Sequence, residues 1–142
     1  MLRLQTEQNE QQARRRATVD MVLHERQDPH FLDARKLFAS LRDKKVNLTQ
    51  FACEDSSKNP VENAAIMRIL NHYEFMAAGI CEGAFDEAMY KRMKKSLVIA
   101  DWHALSGYAL EMRKHSGVKA LFCEFERLAT CWENHRPARL SP

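Results

Sequence analysis

A chain of 142 residues has room for one ordinary domain with its own core, and a formal charge of +3 is too small to mark a dedicated nucleic-acid binder. Only four Gly and four Pro, beside plentiful Ala, Leu, Met, Glu, Lys and Arg, argue against turn-rich β structure and for an all-α fold. No apolar run approaches the roughly 18 residues of a membrane span, no signal-peptide pattern opens the chain, and the four cysteines form no Cys-x-x-Cys pair or zinc spacing. The expectation is a cytoplasmic protein with reduced thiols and with neither metal nor cofactor.

Residues 2–27 contain no Gly or Pro, and "QTEQNEQQARRR" is polar on every side. A helix of that kind finds no core to pack on, so residues 1–16 read as a projecting polar arm. From Ala13 the pattern changes, with Ala13, Ala17 and Met21 at four-residue steps and Val19, Val22 and Leu23 beside them, so the second half of this helix should dock. Asp28-Pro29 then pairs an N-cap with a first-turn proline, and Phe31, Ala34, Leu37, Phe38 and Leu41 make an amphipathic stripe. Residues 43–60 lose the pattern and read as a loop with one short helical turn near residues 48–53.

Asn59-Pro60 opens the helix expected at the centre of the domain. Ile66, Ile69, Leu70, Tyr73, Ala77 and Ile80 line one face, and Phe75, Met76 and Gly79 add a second. Gly83 suits the left-handed position after that helix; Asp86 is the next N-cap, with Phe85 and Tyr90 spaced as a hydrophobic staple. Met89, Met93 and Leu97 mark the following helix, and Trp102, Leu105, Tyr108, Ala109 and Met112 another that ends near residues 115–117. The last runs from Val118 through Leu121, Phe122, Phe125, Leu128 and Ala129 to Trp132. The whole reads as a compact bundle of five to six helices over residues 17–134, with the arm in front and a short tail, 135–142, behind.

The candidate chemistry is sparse. His72 and Cys81 lie nine positions apart on one helix, about 13 Å along its axis, so they cannot form a nucleophile pair. Asp101 and His103 point roughly 160° apart; Asp101 is expected to cap the helix that follows or to pair with Arg113 or Arg68. A metal would need His72, His103 and Cys123 to converge from separate helices, and no paired ligand spacing among them predicts that. There is no phosphate-binding Gly-rich loop, no Gly-x-Ser-x-Gly and no His-Glu-x-x-His. Asn71, Tyr73, Glu74, Gly83, Asp86, Asp101, Trp102 and Trp132 are therefore assigned structural roles, and no residue a catalytic one. Two basic clusters, Arg14-Arg15-Arg16 and the set Lys91, Arg92, Lys94 and Lys95, are the candidate partner-binding surface; acidic neighbours dilute both, and no aromatic residues are interleaved for stacking on bases.

"ILNHYEFMAAGICEGAFDEAMY", followed by "DWHAL" and a last helix ending in "FERLATCWE", resembles the bacterial and phage family known as domain of unknown function 4760. The resemblance runs from about Arg14 to Glu133, and its most specific part is the Asn-His-Tyr-Glu-Phe core with the Gly-x-x-Asp turn. It implies no catalytic residues. It does imply a bacterial, phage or prophage setting, and relatives that carry an N-terminal transmembrane helix leading into a polar, Arg-containing segment. "LRLQTEQNEQQARRR" is similar to such an exit segment, so the chain is either a soluble variant or the part beyond an anchor at the inner face of the membrane. The function expected is a non-enzymatic protein-protein interaction module, its partner a host protein or a second copy in a homodimer. A phage-encoded inhibitor of a host defence or surface system is the alternative. An anchored domain with an enzymatic or metal site is the third.

Overall fold

Two of the helix starts in this chain are set by short acidic side chains that accept from otherwise unpaired N–H groups. The computed structural model describes residues 1–53 and 57–139. It contains α1 (Leu2–Gln27), α2 (Pro29–Asp43), α3 (Thr49–Cys53), α4 (Pro60–Cys81), α5 (Glu87–Ser116) and α6 (Cys123–Glu133), with no strand among the described residues. Asp28 accepts from the His30 N–H at 3.0 Å and Pro29 occupies the first turn of α2, where a missing N–H costs nothing. Asp86 starts α5 in the same way, accepting from the Met89 N–H at 2.7 Å. Residues 54–56 of the expected loop and 140–142 of the tail lie outside the described residues.

The central element is α4, which touches α2, α3, α5 and α6. It buries Ile66, Ile69, Leu70, Met76, Ala77 and Ile80 completely. At roughly 1.5–3 kcal/mol for each large side chain, this face is the main apolar driving force. Phe38 of α2, Val98, Leu105 and Tyr108 of α5, and Phe125, Leu128 and Trp132 of α6 close over it. At the far end of α4, Gly79 lets the Phe85 ring lie where a Cβ would stand, and Gly83 turns the chain at φ +77°. No helix of the described residues is long and apolar enough to cross a membrane.

Three features differ from the sequence reading. The two helices expected over residues 86–116 are one, α5, because no residue between Glu87 and Ser106 interrupts it. Its inward line is Tyr90, Lys94, Val98 and Asp101, while Met93 is exposed; polar residues in the buried register disguised the true face. The last helix starts at Cys123 rather than Val118: Gly117 closes α5 at φ +72°, and residues 118–122 form turns that end with Phe122 at φ +61°. Leu121 and Phe122 keep the apolar spacing of a helix while reaching the core from a turn. Arg113 holds that turn by donating from Nε to the Leu121 carbonyl at 2.7 Å.

Candidate functional site

Asp101 sits in the middle of α5 with no exposed surface, so its charge must be met by fixed donors. Its Oδ2 accepts from Arg35 Nη1 at 2.6 Å and from the Tyr73 hydroxyl at 2.5 Å, and its Oδ1 from Arg42 Nη1 at 2.9 Å. Arg35, Phe38 and Arg42 follow one face of α2, and both guanidinium groups also lie over the Phe38 ring, at 5.5 and 5.4 Å. Asp101 is thus neither a cap nor a partner of Arg113 or Arg68; α5 passes through it unbroken, and α2 supplies the cations. Burial, and then the neighbouring Asp101 charge, push the Tyr73 phenol well above its ordinary value and keep it a neutral donor.

A second buried acid lies nearby. Glu25, from the last turns of α1, has Oε1 2.5 Å from His72 Nε2 and Oε2 2.8 Å from Lys94 Nζ. The first contact requires a proton on Nε2, and the Phe31 ring, 4.6 Å between centroids, packs on the imidazole. Burial pushes the Glu25 carboxyl up, but hydrogen bonds and charge from His72 and Lys94 outweigh it and hold the group below the usual glutamate value. Glu25, Arg35, Tyr73, Tyr90 and Lys94 surround a void of about 20 Å³, and the buried Tyr90 hydroxyl has no hydrogen-bond partner among the described residues. Four helices, α1, α2, α4 and α5, are joined through these two acids. On the other side of His72 an open groove of about 500 Å³ runs between α4 and the α1–α2 corner, with Met21, Phe31, Met67 and Phe75 as apolar wall and His24, Asp28, Arg68 and Asn71 as polar lining.

The remaining sequence candidates scatter. Asn71 is exposed on the groove. Glu74 crosses to α6, accepting from the Phe125 N–H at 2.8 Å and the Glu124 N–H at 3.4 Å, and so caps a helix whose own N-cap residue, Phe122, has no acceptor. Burial nevertheless raises its carboxyl above the ordinary value. Trp102 meets Phe125 edge-on at 5.2 Å, and the Trp132 indole donates to Glu87 at 3.2 Å. Glu87 also receives the N–H groups of Ala138 and Arg139, so the tail folds back onto the start of α5. His103 pairs with exposed Glu133 at 2.7 Å, away from the Glu25–His72 pair. His72, His103 and Cys123 do not converge; among the described residues the metal-type donors that do are Cys53, Glu111 and His115.

The basic clusters are not uniform surfaces. Arg14 is half-buried, Arg15 reaches Asp86 at 3.8 Å, and Arg16 is exposed. Lys94 is turned inward onto Glu25, which removes it from the proposed partner-binding set, while Arg92 is exposed and Lys91 and Lys95 are half-buried. Sequence reasoning missed Glu25, Arg35 and Arg42. One signal was available for the arginines: Arg35 and Arg42 stand one turn beyond Phe31 and Phe38, in line with the buried stripe of α2.

Comparison with known proteins bears on this arrangement through kinship. A family model described as a domain of unknown function, DUF4760, matches residues 1–132. The chain belongs to the DUF4760 family. No curated protein and no solved structure matches it. The match takes in all of α1 and every member of both buried clusters, so in this DUF4760 domain the charge network lies wholly within the family region.

Proposed function

We propose that this DUF4760 domain is a non-enzymatic helical module that binds another protein, a host partner or a second copy of itself, through the outer half of α1. One observation carries the reading: residues 1–13 of the chain are exposed without exception, and Leu2 and Leu4 stand 83% and 64% open to solvent. The outer half projects roughly 18 Å as a continuation of the docked inner half, and a partner laid along it would add the packing that so short a stretch of helix lacks in water. The buried acids support the same reading, since their oxygens are spent on Arg35, Arg42, Tyr73, His72 and Lys94. In a bacterial, phage or prophage setting, inhibition of a host system is this same interaction with a particular partner. Deleting residues 1–13, with sedimentation equilibrium for self-association and partner capture for other proteins, tests the proposal; unchanged behaviour in both removes the arm from the mechanism.

The groove favours a second reading, a small-ligand or catalytic site, because His72 forms part of its wall with Glu25 behind it as an orienting carboxylate. Ligand-induced shifts of the His72 ring resonances, abolished in His72→Gln, are the outcome this reading requires.

A further inference from the structure

Away from both acids, α3 lies along α5 in a matched register. A Cβ on Gly107 would run into Thr49 Oγ1, so the missing side chain is what lets the two helices approach. One turn further on each helix, Cys53 comes over Glu111, with Sγ 3.7 Å from Oε2. One more turn along α5, His115 places Nε2 3.7 Å from the same Oε2, and the three donor atoms all lie within 4.8 Å of one another. Lys114 takes the other carboxylate oxygen, Oε1, at 3.2 Å, which leaves Oε2 facing the thiol and the imidazole. The hydrogen bond and charge from Lys114 hold the Glu111 carboxyl below its ordinary value.

We infer that Cys53, Glu111 and His115 form a binding site for a divalent transition-metal ion of the zinc class. The donor set is the reason for that class. A thiolate, an imidazole and a carboxylate together suit borderline-soft Zn²⁺, and the oxygen-seeking Mg²⁺ and Ca²⁺ have little use for sulfur. Tetrahedral zinc with bonds of about 2.0–2.3 Å places its ligand atoms roughly 3.3–3.6 Å apart, so the observed spacing needs to contract by only a few tenths of an ångström at the two measured edges. Glu111 and His115 supply the paired ligands on one helix, at i and i+4, that the trio His72, His103 and Cys123 lacks. Among the described residues three donors meet here, which leaves a fourth tetrahedral position for a further ligand, and Cys53 and His115 are themselves exposed. Bound metal would tie the five-residue α3 to the long α5. The site is separate from the arm and holds whether or not the arm binds a partner.

The test is titration of the full reduced chain with Co²⁺ and then Zn²⁺. The expected result is one equivalent bound, with a thiolate-to-cobalt charge-transfer band that Zn²⁺ bleaches. Cys53→Ser should abolish that band, and Glu111→Gln and His115→Ala should each weaken binding at least tenfold, while far-UV circular dichroism shows the helices retained. Cys131→Ser, outside the cluster, should bind as the parent does. Absence of the band in the parent chain overturns the inference, as does a band that survives Cys53→Ser or is lost equally in Cys131→Ser.

Discussion

The two halves of α1 are built from one uninterrupted helix and yet behave as different objects. In the inner half, Thr18, Val22 and Glu25 are buried; in the outer half nothing is. Thr18 donates to the Arg14 carbonyl at 2.7 Å and accepts the Asp86 N–H at 2.8 Å, so the inner half holds the turn between α4 and α5 as well as the Glu25 cluster. Helix propensity does not separate the halves. What separates them is that the inner half turns Thr18 and Glu25 onto the bundle, while the polar groups of the outer half meet solvent or their own helix, as Thr6 does with the Leu2 carbonyl and Arg3 with Glu7.

Substitutions in the two halves, and in the clusters the inner half reaches, should therefore differ sharply. The largest effect is expected at Asp101: Asp101→Ala strands the two guanidinium groups of α2 and should cost about 3 kcal/mol in urea unfolding, towards the low end for a broken buried pair because Arg42 can still reach water. Glu25→Gln should follow at about 2 kcal/mol, since Lys94 and His72 lose a charged partner. The Glu25 carboxyl is held low in the folded state, so its contribution is present above the ordinary glutamate range and is lost as the pH falls through the folded value. Unfolding midpoints measured across the acid range should fall more steeply for the parent chain than for Glu25→Gln; parallel curves would show that Glu25 does not carry that loss. Thr18→Val, matched in shape, should cost about 1–2 kcal/mol by leaving the Asp86 N–H unpaired. Replacing Leu2 and Leu4 by Ser should change stability by less than about 0.5 kcal/mol, and a larger loss would mean that the outer half packs on the bundle after all.

The same contrast explains what could be read from the sequence. Asp28-Pro29, Gly83 and Asp86 carry their structural role in their chemistry, and the apolar stripe of α4 follows directly from its spacing. The inward faces of α1 and α5 were hidden because the residues that fill them, Thr18, Glu25, Lys94 and Asp101, are ones that burial normally excludes. Their cost is met chiefly by partners 28 to 69 residues away in the chain, as with Asp101 and Tyr73 or Glu25 and Lys94, and no local period reports such pairs. The start of α6 was misplaced for the opposite reason: Leu121 and Phe122 keep a helical spacing on a backbone that is not helical. Cys53, Glu111 and His115 meet only because Gly107 admits α3, a long-range approach visible in the fold alone.

The division of α1 is tested most directly by removing residues 1–13 and measuring unfolding and association on the same preparation. The account predicts an unfolding midpoint within error of the full chain, together with loss of self-association or of the captured protein partner. A deletion that lowers the midpoint by several kcal/mol equivalents, or one that leaves association intact, would contradict it.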